Sequence, residues 1–296
     1  MSFSGDVKTE LCRLPLSRRC CAQAEACGVL LYCNAFRRDQ VRIATENEPF
    51  AQRLPVLFQK AFRISFDRLP AGGGKQIFTI EDPGKLAAIY DSFDADSGAV
   101  ALHLNFALVE ESCCRASFLR GAFLAGGSVT DPRKGYHLEL ATSHHSVSRE
   151  VLALMRELDQ EPKDAQRKGN AVIYFKQSEK IEDFLTCVGA PIAAMEVMNA
   201  KLERDLRGSV NRRVNCDAAN LDKAVEAAMA QVEAIRRLEA DGILITLPGK
   251  LQEAAALRLD HPEDTLAQLA EQCDPPVTKS ALNHRLRKLL ELGRPE

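Results

Sequence analysis

Laying residue 20 onward over residue 113 onward exposes an internal duplication, and this repeat restricts the possible folds more than any other feature of the chain. Cys20-Cys21 falls on Cys113-Cys114 and Gly28 on Gly121 at one offset, and Ile43-Ala44-Thr45 falls on Leu140-Ala141-Thr142 after one short insertion. A second strand-like piece, 76–80, overlies 172–176, and each copy is followed by a helical pattern, over 85–93 and 179–188. Alternation in Val41-Arg42-Ile43-Ala44 and in Tyr136-His137-Leu138-Glu139-Leu140 has the period of a strand with one covered and one open face. Helical stretches over 50–62 and 146–158 supply the cover. Each copy therefore reads helix, strand, helix, strand, helix, and the pair predicts an α+β domain with a pseudo-twofold axis.

The helix that opens each copy carries small residues at a spacing of four: Ser117, Gly121 and Ala125 in the second, Ala24 and Gly28 in the first. Small side chains so spaced let two helix backbones approach closely, so the two helices are expected to pack along the axis. A helix followed by a strand, twice over, with Gly127-Ser128 at the junction in the second copy, resembles the LAGLIDADG homing-endonuclease fold. That resemblance implies paired helices ending in carboxylates that hold divalent metal over scissile phosphates. Here the acidic positions fall on Cys33 in the first copy and Gly126 in the second, and neither offers the hard oxygen that Mg²⁺ requires. Glu25 and Asp131 are the nearest acids; one lies two turns up the helix and the other precedes Pro132 in a turn. The expectation is no catalytic residue and no enzyme.

The chain of 296 residues suits about two domains. We expect the duplicated domain over 1–195, with repeats at about 20–93 and 113–190, a helical connector over 196–247, and a terminal domain over 248–296. Hydrophobic residues make up 46% and charged residues 27%, the balance of a soluble globular protein, and no stretch reaches the ~18 apolar residues of a membrane span. Residues 1–11 carry Asp6, Lys8 and Glu10 and no apolar run, which argues against a secretory signal. The expected place is the cytoplasm. Ten cysteines are spread along the chain without a C-x-x-C pair or a histidine at zinc-site spacing, so buried thiols in a reducing compartment, with no metal and no cofactor, are expected.

Past residue 195 the strand signals fade. Leu221, Val225, Ala228, Val232 and Ile235 recur at helical spacing, a stripe that reads as packing against a neighbour rather than as a dimer seam. Asp241-Gly242 ends that helix and Leu247-Pro248-Gly249 marks a hinge. The motif at about 265–296 then reads as helix-turn-helix: a short helix over 265–273, a break at Asp274-Pro275-Pro276, and a second helix from 277. Thr278 or Ser280 can cap it, and Leu282, Leu286 and Leu289 or Leu290 face inward. Lys279, Asn283, Arg285, Arg287 and Lys288 are left outside without an acid among them. Lys279, Ser280, Asn283 and His284 are placed to meet base edges, while Arg287 and Lys288 suit backbone phosphate, and Thr278 and Arg285 complete the expected DNA-binding set. A further basic run, Arg204 to Arg213, offers Arg207, Asn211, Arg212 and Arg213 as a second contact with phosphate. With a net charge of only −2, attraction to double-stranded DNA has to come from such local patches.

Ser2 to Leu11, Arg120 to Tyr136, Ser209 to Cys216 and Asp274 to Lys288 together resemble the WhiA family of Gram-positive bacteria, across nearly the whole chain. The resemblance implies a nucleoid-associated transcriptional regulator linked to cell division, chromosome segregation and sporulation control, without nuclease activity. Two alternatives are kept: a protein-docking module that modulates another transcription factor, and a divergent nuclease. A small-molecule substrate and a membrane partner are not expected.

Overall fold

The computed structural model describes residues 2–70, 74–93 and 101–294. Residues 71–73 of the first repeat and 295–296 of the terminal motif lie outside the described residues. The chain divides into two compact units, Met1–Arg204 and Asp205–Glu296.

In the first unit, helix α1 (Phe3–Cys12) precedes the first copy: α2 (Arg19–Tyr32), β1 (Ala35–Arg37), β2 (Gln40–Thr45), α3 (Glu48–Phe62), β3 (Gln76–Ile80) and α4 (Pro83–Ser92). The second copy follows as α5 (Ser112–Gly126), β4 (Gly127–Val129), β5 (Leu138–Thr142), α6 (His145–Glu157), β6 (Lys163–Arg167), β7 (Asn170–Phe175) and α7 (Ser178–Val188). Each copy thus has the expected elements plus a short strand after its first helix, and the second adds β6, an exposed edge strand. Lys168 and Gly169, both with positive φ, form the two-residue turn of the β6–β7 hairpin, the geometry that suits the twist of antiparallel strands.

The sheets run β1-β2-β3 and β4-β5-β7-β6, with every neighbour antiparallel. Register corrects one detail of the repeat. Ile43 pairs with Phe78, and its counterpart Leu140 pairs with Ile173, so 76–80 corresponds to 171–175 and not to 172–176. The shift matters because side chains alternate along a strand. Phe78 and Ile173 are both buried, whereas Tyr174, the partner that the earlier overlay gave to Phe78, stands half-buried on the other face.

The core of this unit is built around α2 and α5. Residues 24–32 of α2 are all buried, as are 117–119 and 121–124 of α5. A Cβ on Gly28 would sit 2.1 Å from Phe118 O, and one on Gly121 would sit 2.0 Å from Glu25 O. The two helices therefore meet backbone to backbone. Asn47 caps α3, accepting from Phe50 N at 2.9 Å, and left-handed Gly189 ends α7.

Helix α8 (Pro191–Ala240) runs across the division between the units. In the second unit it is followed by α9 (Gly249–Asp260), α10 (Leu266–Glu271) and α11 (Lys279–Leu292), around a core that includes Ile235, Leu238, Ala254, Ala255, Leu269, and Leu282, Leu286 and Leu289 of α11. The apolar stripe of α8 departs in part from the packing expected of it: Ile235 is buried and Ala228 and Val232 are half-buried, but Leu221 and Val225 are 65% and 50% exposed, because α9–α11 gather around the last two turns of α8. Among the described residues no helix is long and apolar enough to cross a membrane.

The close approach of α2 and α5 makes a direct expectation. Gly121→Ala should destabilise the protein by about 3 kcal/mol or more in urea unfolding, since backbone on both sides must move. Gly208→Ala on exposed α8 should instead be neutral or stabilise by about 0.5–1 kcal/mol. Equal effects of the two would remove the claim of backbone contact.

Candidate nucleic-acid interface

The terminal helices are set by local chemistry. Thr265 and Gln268 form a reciprocal capping box at the start of α10. Between the two potential caps of α11, the structure selects Thr278, whose Oγ1 accepts from Ala281 N at 3.2 Å. Buried Arg258 on α9 donates to Asp264 O at 2.9 Å and so holds the segment leading into α10, while Val277 N donates to Ala270 O across the turn between α10 and α11. Leu282, Leu286 and Leu289 face the core; Leu290 is only half-buried. Gly293 allows the end of α11 to close on α8, where a Cβ would lie 2.7 Å from Ala234 O.

The opposite side of α11 carries Lys279, Ser280, His284, Arg287 and Lys288 exposed, with Asn283 half-buried among them. These positions recur at helical spacing and share one face. Arg285 does not join them. Its guanidinium turns back to Glu253 on α9 at 3.0 Å and is only 16% exposed, so the expectation of an outward arginine there is corrected. Glu253 also accepts from Asp274 N at 2.7 Å, so one carboxylate fastens both the turn and the helix. Sequence periodicity could not reveal this residue, because its two partners lie 21 and 32 positions downstream.

Arg207, Asn211, Arg212 and Arg213 lie on the exposed part of α8 in the same unit. Arg204, with which that basic run begins, is instead held in the first unit, donating to Pro132 O at 3.0 Å with its guanidinium 4.5 Å from the Tyr136 ring centre.

At the C-terminal ends of α2 and α5, Cys33 and Gly126 occupy the positions where carboxylates were sought. The Cys33 Sγ lies 3.2 Å from both Leu30 O and Ala35 O, and burial pushes its thiol up to about 12. A Cβ on Gly126 would meet Ala141 O at 2.5 Å and Tyr32 O at 2.9 Å, so no side chain fits there without displacing β5. The nearby acids are engaged elsewhere. Glu25, fully buried, receives two bonds from Arg53 at 2.6 and 3.0 Å and one from Arg120 at 3.2 Å, and Asp131 accepts from Arg133 N at 2.9 Å in its turn. Of basic residues on the outer sheet faces, Arg42 was legible in the sequence; Arg167 and Lys176 flank the Tyr174 ring on the second sheet, where Glu139 pairs with Arg167 at 3.2 Å.

The family model described as WhiA C-terminal HTH domain matches residues 210–293, and that described as WhiA LAGLIDADG-like domain matches residues 115–207. A protein of Alkaliphilus metalliredigens (strain QYMF) named "Probable cell division protein WhiA" is 34% identical over 316 residues, covering 99% of this chain and 98% of its own. One of the same name from Ruminiclostridium cellulolyticum is 37% identical over 309 residues, covering 99% and 97%. The crystal structure of full-length DUF199/WhiA from Thermatoga maritima superposes with a TM-score of 0.61 at 22% identity, covering 99% of this chain and 98% of that one, and shows the same fold.

A double-mutant cycle tests how α11 is held. Glu253→Gln and Arg285→Ala should each lower stability by about 1–3 kcal/mol in urea, with a coupling of about 1–2 kcal/mol between them. A coupling of zero would mean that the pair holds nothing.

Proposed function

The chain belongs to the WhiA family, and from that premise we propose that it is a sequence-specific DNA-binding regulator of cell division, chromosome segregation and sporulation control, acting on the nucleoid in the cytoplasm. The observation that carries this reading is the exposed face of α11, on which Lys279, Ser280, Asn283, His284, Arg287 and Lys288 stand together while three leucines and the Glu253 tie fix the helix from behind. The first residues of a recognition helix reach furthest into the major groove. Ser280 and Asn283 can donate to and accept from base edges, Lys279 and His284 add donors beside them, and Arg287 and Lys288 meet the phosphates that set the register. Thr278 serves as the cap that orients the first turn, and Arg285 as the strut that fastens α11 to α9. Arg207, Asn211, Arg212 and Arg213 are the second phosphate contact.

The duplicated domain has no nuclease role in this reading. Support comes from the residue types at the helix ends: a thiol held at neutral charge and a glycine with no room for a side chain cannot bring hard oxygen ligands to Mg²⁺. That domain is left to add a second surface, for the DNA or for another transcriptional regulator.

Binding of the full chain to fragmented genomic DNA at two salt concentrations, with sequencing of what is retained, tests the proposal. A shared motif should survive the higher salt. Asn283→Ala should cost about 1–3 kcal/mol and relax preference at one base position, while Arg287→Ala should weaken all sequences alike and lower the salt slope by about one. Loss of all binding at the higher salt, with no shared motif at either, would replace base readout by phosphate attraction and leave protein docking as the function.

A further inference from the structure

A duplicated domain brings matching residues of its two copies together near the axis, and this chain carries a pair of adjacent cysteines at the same place in each copy. Cys20-Cys21 lies in the first turn of α2 and Cys113-Cys114 in the first turn of α5. Because α2 and α5 run side by side, the pairs converge. The Sγ atoms of Cys20, Cys21 and Cys114 all lie within 4.8 Å of one another, and Cys113, adjacent to Cys114, has its Sγ 3.9 Å from the Arg18 guanidinium. All four are free thiols. Among the described residues, no other set of three or more histidine, cysteine or acidic side chains brings its ligand atoms so close.

We propose that these four cysteines form a structural site for a soft divalent ion, Zn²⁺, bound as a tetrathiolate at the N-terminal end of the α2–α5 pair. Sulfur is the donor that suits such an ion, and four sulfurs at ~2.3 Å from zinc stand about 3.8 Å apart in a tetrahedron, so Cys20, Cys21 and Cys114 need a contraction of about 1 Å or less, and Cys113 completes the set by turning its side chain toward them. On binding, each thiol gives its proton to solvent and the centre carries two net negative charges. The surroundings offset that charge. Neither α2 nor α5 has a side-chain cap at its start, so the positive ends of two helices adjoin the sulfurs, and the Arg18 guanidinium reaches within 3.9 Å of the Cys113 Sγ. With four protein ligands the ion has no open position for chemistry. Its effect is to staple the two copies at the end of the helix pair opposite Cys33 and Gly126.

The test uses the full chain purified under reducing conditions without chelator. Elemental analysis should find about one zinc per chain, and Co²⁺ titration of the metal-stripped protein should give the sulfur-to-cobalt charge-transfer band and the visible bands of a tetrahedral site. The double variant Cys20→Ser, Cys114→Ser should weaken Co²⁺ binding by at least the ~100-fold that losing an outer-shell partner alone can cost, whereas Cys216→Ser, on exposed α8, should not change it. Chelator should lower the melting temperature of the parent chain and not of the double variant. The Co²⁺ titration of the parent chain needs no variant to fold. No zinc and no cobalt spectrum from the reduced chain, iron with sulfide in place of zinc, or an unchanged affinity in a folded double variant would each overturn the proposal. A Cys20–Cys114 disulfide in chain isolated under those reducing conditions would overturn it too, in favour of a redox pair.

Discussion

Backbone contact between α2 and α5 is the constraint from which the first unit is built. Helices with ordinary side chains pack with their axes about 8–10 Å apart, and shedding the Cβ at Gly28 and Gly121 lets them come nearer, so that the carbonyls of Glu25 and Phe118 fill the space. The same turn then carries the one buried carboxylate of the pair. Glu25 is 0% exposed, and a lone carboxylate there would be costly; it is stable because Arg53 from α3 and Arg120 from α5 both reach it. Each arginine uses its remaining donors on main-chain carbonyls, Arg53 on Cys12 and Leu14 and Arg120 on Val188. One acid thereby ties α2 to α3, to α5, to the segment after α1 and to the end of α7. Removing Glu25 would leave the buried Arg53 charge uncompensated, at about 3–5 kcal/mol, which is more than the intact network itself need contribute.

The same contact explains why the helix ends cannot simply regain acids. Gly126 is pressed between Tyr32 of the other helix and Ala141 of β5, so an aspartate there would have to move a strand before it could bind anything. The fold is shared with the LAGLIDADG type, but the packing that stabilises it here has closed over the place where metal ligands would project. Fold and site are separable, so a shared fold does not by itself carry the chemistry of a site.

Much of this was legible from residue order. Spacing of small residues announced the helix pair, alternation announced the strands, and the Thr278 cap with its leucine stripe announced α11. The misses share a cause, which is that each depends on residues remote in sequence. The second strand was overlaid one residue out because Val172 to Lys176 shares four of its five residues with the true segment, and only pairing with Leu138 and Leu140 fixes the register. Arg285 was read as exposed because nothing near it in sequence is acidic, yet Glu253 waits on α9. Glu25 was read only as an acid near the expected metal positions, and the two arginines that pair with it lie 28 and 95 residues away.

A chain with a net charge of −2 gains little from long-range attraction to DNA, so the strength of binding at cellular salt has to come from contacts made at close range. Short-range contacts reward rigidity, because every side chain or helix that must be ordered on binding subtracts from affinity. That places unusual weight on the groups behind α11 rather than on it. The buried leucines fix its depth, the glycine at 293 lets its end lie against Ala234, and Glu253 sets its rotation through Arg285 while holding the preceding turn through Asp274. Arg285, read from the sequence as one of the outward cations of α11, is in this way used for orientation, through a pair shielded enough that salt screens it little.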